Sequence, residues 1–275
     1  MSKVLIVNNN DKRMEYVKNY LKERIDVSEV NDELTFFYEM EKENNKYLIL
    51  PVRGVNQHNL IDDSTIYLTE NYLNLWNGKT IYTGLISETL KKQCNERGIR
   101  LVSYLSEEMA IKNNYITTEG IIEAMVNNSE KAIFNSQILI IGYGKLGQIC
   151  GKVLKALKGN ITISCRHEKD ILNAKINEFK VITHPQIISC INQFDFIINT
   201  VPYRLLNHTI LRKINKSCQV IIDVSSKPYG LDHDYANKIG VRVLLLPGIP
   251  GKIAPITAGE IIGEYIYRDI IGGEV

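Results

Sequence analysis

Apolar residues in this chain come in short runs, and most runs are followed by a stretch in which they recur every three or four positions. The first pattern marks a buried parallel strand and the second an amphipathic helix. KVLIV (3–7) reads as a strand, and DKRMEYVKNYLKER (11–24) as a helix with Met14, Val17 and Leu21 on one face. YLILP (47–51), TIYL (65–68), KTIYTG (79–84) and IRLVSY (99–104) read as further strands, the first of them ended by Pro51. SETLKKQCNERG (87–98) reads as a helix that Ser87 caps and Gly98 stops.

Residues 106–133 break the alternation. They predict one long helix, or two that meet near Tyr115–Thr118, with Glu107 and Glu108 in the first turn. From Gln137 the alternation resumes, with strands expected at 137–142, 160–165, 179–183, 195–200, 218–224 and 241–246. DHDYANKIG (232–240) reads as a helix between the last two strands, and 256–271 as a final amphipathic helix.

Strands that alternate with helices imply parallel sheets. The expected fold class is α/β: two Rossmann-like parallel-sheet domains joined by a long helical segment, with a cleft between them. The expected boundaries are a flavodoxin- or Rossmann-like substrate domain at 1–105, the connecting segment at 106–135, a nucleotide-binding domain at 136–252, and a C-terminal helix at 253–275 that packs back toward the first domain.

One turn carries most of the chemical information. The run QILII is followed by Gly142-Tyr143-Gly144-Lys145-Leu146-Gly147 and then by a helix pattern with Ile149, Val153, Leu154 and Leu157. Strand, GxGxxG and helix in that order form a dinucleotide-binding fingerprint. Gly142 suits the tight turn, Gly144 the approach of a pyrophosphate, and Gly147 the close packing of helix on strand. The helix N-terminus offers free N–H groups and a positive dipole end to the phosphates.

The next strand ends Ser164-Cys165-Arg166, with Arg166 19 residues after Gly147. An acid there would hold the ribose 2′-hydroxyl of NAD. A guanidinium suits a 2′-phosphate instead. NADP is therefore expected over NAD, with His167 and Lys169 adding to the basic patch. Later strands end in Asn199-Thr200-Val201-Pro202, in Asp223-Val224-Ser225-Ser226-Lys227-Pro228, and in the loop from Pro247-Gly248 to Pro255. Strand C-termini in an open α/β sheet face the ligand crevice. Asn199, Thr200, Val201, Pro202, Asp223, Pro247 and Gly248 are thus expected at the cofactor. Lys227 is expected on an anionic substrate group, Ser225 as a hydrogen-bond donor, Arg53 as a carboxylate clamp, and Thr118 near the helix bend.

Bulk properties narrow the classes. With 33 basic and 31 acidic residues the net charge is +2, without the basic face that nucleic-acid binding needs. No apolar run reaches the ~20 residues of a membrane span, and the N-terminus reads as a first strand rather than a secretory signal. Five cysteines without a CxxC and five histidines without metal spacing predict reduced thiols, no metal site and a cytoplasmic protein.

Beyond these single signals, six segments resemble the family of dipicolinate synthase A subunits of spore-forming bacteria. They are LILPVRG (48–54), MAIKNNYITTEG (109–120), IGYGKLG (141–147), INTVPYRLLNHTIL (198–211), DVSSKPYGLDHDYA (223–236) and LLPGIPGKIAPITAGE (245–260). The resemblance implies oxidation of dihydrodipicolinate, or its hydroxytetrahydro form, to dipicolinate in a branch of lysine biosynthesis. It implies NADP or NAD as hydride acceptor, a small cyclic dicarboxylate substrate, the B subunit of dipicolinate synthase as partner, and the mother cell during sporulation as the place. A homo-oligomer is compatible with it. The chain departs from the family pattern at Lys145, Ile256 and the segment Tyr115-Ile116-Thr117, where Arg, Lys and Ile-Pro-Thr are usual. Two other readings stay open: a shikimate dehydrogenase-like NADP enzyme, or a non-catalytic nucleotide-binding regulatory protein.

Overall fold

A computed structural model describes residues 3–215 and 217–273 of the chain. They form two compact units, one from the residues up to Lys112 together with those from Ala254 onward, the other from Asn113 to Ile253.

The first unit runs β1 (Lys3–Val7), α1 (Lys12–Lys22), β2 (Val27–Val30), α2 (Glu33–Met40), β3 (Asn45–Ile49), α3 (Glu70–Asn74), β4 (Thr80–Thr83), α4 (Glu88–Glu96) and β5 (Arg100–Ser103). Its strands are all parallel, in the order β2-β1-β3-β4-β5, which is the flavodoxin-like winding. Met14, Val17 and Leu21 of α1 are fully buried, as their spacing required. Ser87 caps α4 by accepting from the backbone N–H of Leu90, and Gly98 takes a φ of +62° beyond its end.

Helix α5 (Glu107–Asn127) follows and is unbroken. The alternative of two helices meeting near Tyr115–Thr118 does not occur. The hydroxyls of Thr117 and Thr118 bond back to the carbonyls of Asn113 and Asn114, inside one continuous helix.

The second unit continues β6 (Gln137–Ile141), α6 (Lys145–Ala156), β7 (Asn160–Ser164), α7 (Glu168–Ile176), β8 (Lys180–Ile182), α8 (Ile187–Cys190), β9 (Phe196–Asn199), α9 (His208–Leu211), β10 (Val220–Asp223), α10 (His233–Lys238), β11 (Val243–Leu245) and α11 (Ile249–Ile253). The sheet is parallel throughout, in the order β11-β10-β9-β6-β7-β8. That is the Rossmann winding, with its switch point between β6 and β9. Both faces are covered, by Ile138, Ile140, Leu154 and Phe179 on one side and Leu139, Ile141, Ile197 and Leu211 on the other. This explains why the strands read as continuous apolar runs.

The last helix, α12 (Pro255–Gly273), belongs to the first unit, where Ile262, Ile266 and Ile270 share a core with Val4, Val17 and Leu21. Asp269 of α12 accepts from both guanidinium ends of Arg100 (2.7 and 2.8 Å) and from the Tyr82 hydroxyl (2.7 Å). Residues 65–68 do not form the expected strand. Ile66 and Leu68 are buried, but the segment makes only an isolated bridge, Leu60 to Tyr67, within a folded loop. Among the described residues no helix is long and apolar enough to cross a membrane.

Candidate nucleotide-binding site

The glycine turn has the geometry its residue types predict. Gly142 adopts a φ of +98°, and a Cβ there would lie 2.4 Å from the Thr200 hydroxyl oxygen and 2.7 Å from Val201. A Cβ on Gly147 would lie 2.2 Å from the carbonyl oxygen of Gly142, so α6 is seated directly on the turn. Gly144 differs from both: nothing lies within 4 Å of where its Cβ would stand. Gly144 is also the N-cap of α6 and provides no side-chain cap bond. Its neighbour Lys145 is exposed in the first turn.

A cavity of about 590 Å³ opens on this turn. Gly142 through Gly147 line it, with Arg166, Thr200, Val201 and Pro202, so most of the expected cofactor residues are brought together. It lies where β6 and β9 end side by side, at the switch point of the sheet. The Thr200 hydroxyl donates to the Ile141 carbonyl at 2.9 Å, which ties the β9 exit to the β6 exit. Tyr143 lines the site mainly through its backbone, since its ring is buried edge-on against Phe179 at 6.0 Å.

Several expected residues lie elsewhere. Asn199 and Asp223 are fully buried and bond to protein: the Asn199 amide donates to Asp223 at 2.9 Å and to the Val201 carbonyl at 3.0 Å. Asp223 also accepts from the Ser225 hydroxyl (2.7 Å), the Ser225 amide (3.1 Å) and the Gly230 amide (3.1 Å). The expected cofactor contacts of Asn199 and Asp223, and the substrate contact of Ser225, are replaced by this buried network, which shapes the loop after β10. His233 adds its Nε2 at 3.2 Å from Asp223 Oδ2, outside hydrogen-bonding alignment. Lys227 is exposed on that loop.

Thr118 is 1% exposed, donates within α5, and lies 3.2 Å from the Cys150 sulfur. It has no surface to offer a substrate. Burial pushes the Cys150 thiol up to about 11, which leaves it inert. Pro247 lines a different, smaller cavity of about 250 Å³ with Gly120, Glu123 and Lys252, and Gly248 is exposed with a φ of +67°. Both were expected at the cofactor, but β11 lies two strands away from β9 in the sheet order. In the first unit Arg53 is exposed in the turn after β3, where its charge acts on Asp11 and Asp62.

The cavity also has lining that the sequence did not single out for the site: Cys165, Asp170, His184, Tyr203 and Leu205. His184 stands two residues beyond β8, which pairs with β7, so its place beside Arg166 follows from strand order alone. Its Nδ1 is 2.9 Å from the Ser164 hydroxyl. Burial, and then the charges of Arg166 and His167, hold His184 below the usual histidine range.

The comparisons with known proteins agree with this fold. The A subunit of dipicolinate synthase from Bacillus subtilis (strain 168) is 27% identical over 229 residues, which cover 80% of this chain and 76% of that protein. This chain is similar to the dipicolinate synthase A subunits. The crystal structure of the same protein from Bacillus halodurans matches with a TM-score of 0.86 and 25% identity, covering 98% of this chain and 97% of that one. A transhydrogenase from Sinorhizobium meliloti shares the fold at a TM-score of 0.69 and 10% identity, covering 99% of this chain and 94% of that one. No protein-family model matches the sequence.

Proposed function

We propose that the chain is an NADP-dependent oxidoreductase that converts dihydrodipicolinate to dipicolinate during sporulation, as the dehydrogenase component of a two-protein enzyme. The observation that carries this reading is the cavity on the amino end of α6, where the N-cap Gly144 makes no side-chain cap bond, in a chain similar to the dipicolinate synthase A subunits. The residues fit a dinucleotide. Gly142 and Gly147 admit no side chain, Gly144 lets a pyrophosphate approach the backbone, and the first N–H groups of α6 donate to it. Arg166, at the exit of β7, suits a 2′-phosphate.

The nicotinamide, when bound, supplies the hydride acceptor: dihydrodipicolinate loses one hydride and one proton and becomes the aromatic pyridine-2,6-dicarboxylate. Such a step asks the protein for placement more than for a strong nucleophile. Lys227 is proposed to hold a ring carboxylate, on a loop fixed from beneath by Asp223, Ser225 and Gly230. Arg53 is proposed as a carboxylate-binding residue on the same chemical ground.

The test is NADPH formation by the purified chain with dihydrodipicolinate generated in situ, alone and with its partner protein. NADPH and dipicolinate absorbance should rise together, and Lys227→Ala should lower kcat/KM by about tenfold or more, the loss of one charge-assisted bond. NADP binding without dipicolinate in either mixture would refute the assigned reaction.

A further inference from the structure

Two histidines flank Arg166 in the cavity, His167 from the same turn and His184 from the exit of the neighbouring strand. Three bases around one point repel one another once charged. The Arg166 Nε donates to His167 Nε2 at 2.9 Å, which ties the two side chains together. His184 is half-buried and anchored through Nδ1 by Ser164. The other groups around it are Cys165 at the end of β7, Asp170 on α7, and Tyr143 and Lys145 from the glycine turn. Asp170 is the acid among the described lining residues, and it opposes a phosphate.

We propose that His184 is a specificity-determining residue: its imidazole takes up a proton when a phosphate dianion settles beside Arg166, so preference for the 2′-phosphorylated nucleotide strengthens as pH falls. This inference rests on the NADP reading above. A dianion reverses the local balance. It makes a charged His184 favourable where burial and the neighbouring Arg166 and His167 make it unfavourable. A nucleotide with a plain 2′-hydroxyl offers none of this.

The experiment is calorimetry with 2′,5′-ADP and with 5′-AMP, in buffers of different ionisation enthalpy. Because the phosphate itself titrates near pH 6, wild type is compared with His184→Asn, which keeps a polar amide but takes up no proton. Binding of 2′,5′-ADP to wild type should draw protons from the buffer. From about pH 6.5 to about pH 8.5 wild type should lose about tenfold more affinity than His184→Asn does, the effect of one imidazole charge. Affinity for 5′-AMP should be the same in both proteins and nearly flat with pH. Equal slopes and equal proton uptake in the two proteins, with 2′,5′-ADP still bound, would overturn the role of His184 and leave the NADP reading standing. Binding of 5′-AMP without 2′,5′-ADP would overturn both.

Discussion

The two units contain the same piece of structure, a first strand that turns into a first helix, and finish it in opposite ways. In the first unit β1 leads through Asn8, Asn9 and Asn10 to Asp11, whose carboxylate accepts from the Arg13 backbone N–H and caps α1. Burial pushes the Asp11 carboxyl up, but the bond and charge of Arg13 outweigh it and hold the group below the usual range. The amino end of α1 thus carries its own anion. In the second unit the same position is Gly144, with no side-chain cap and open space where a Cβ would stand. A helix N-terminus attracts negative charge wherever it comes from. One unit satisfies it with a side chain of its own, and the other, in the function proposed above, takes it from a ligand. Sheet winding is secondary to this distinction, since both sheets are parallel and both have a switch point.

The largest way to break the comparison is Gly147→Val. Its side chain would start 2.2 Å from the Gly142 carbonyl oxygen, so α6 must leave the turn. Dinucleotide affinity should fall by more than about hundredfold, or about 3 kcal/mol, with a lower unfolding temperature for the protein. A tight-binding, equally stable variant would show that the turn does not hold the ligand. Next comes Gly230→Ala, whose Cβ would meet the Asn199 amide at 2.0 Å and open the network around Asp223. We expect a loss of about 3 kcal/mol in chemical denaturation. An unchanged midpoint would mean that the loop after β10 is not fixed from below.

Smaller effects are expected in the first unit. Asp11→Ala removes the built-in cap and should cost about 1 kcal/mol of stability while leaving NADP affinity unchanged. A loss of NADP binding would place α1 in the nucleotide site. Asp269→Asn should also cost about 1 kcal/mol, because Arg100 is half exposed and solvent screens the pair. The bond from Arg100, partly opposed by burial and aided by Tyr82, holds the Asp269 carboxyl below its ordinary 3.8. A lowered acid contributes stability above the unfolded value and loses it as pH falls through the folded one. The wild-type advantage over Asp269→Asn should therefore be full at neutral pH and vanish in the acid range below about pH 4. A difference that persists there would rule out the carboxylate as its source.

Much of this was legible in the sequence because the signals were local. Apolar runs located ten of the eleven strands among the described residues, Ser87 and Gly98 marked the ends of α4, and the glycine spacing found the tight turn between β6 and α6. The remaining strand, β2, buries only Val30 fully, and α2 is short, with Leu34, Phe37 and Tyr38 exposed, so neither carries a clean period. At 65–68 the alternation was real, but it fills a loop core instead of joining a sheet.

The site was less legible because strand ends do not all face a ligand. Asn199, Thr200 and Asp223 look alike on paper. Only the fold shows that Asn199 and Asp223 pair beneath a loop while Thr200 lines the cavity. His184 carries no local signal, because its neighbour Arg166 belongs to another strand, and adjacency across a sheet is a property of topology.

The most direct measurement gives the second unit the cap that the first already has. NADP is titrated calorimetrically into wild type and into Gly144→Asp, and both proteins are melted. With no atom within 4 Å of the new Cβ, the variant should fold and melt like wild type or slightly higher. Its carboxylate should repel the pyrophosphate and weaken NADP by about hundredfold. Equal NADP affinity in the two proteins, or no NADP binding by wild type, would contradict the claim that the amino end of α6 is a nucleotide-phosphate site.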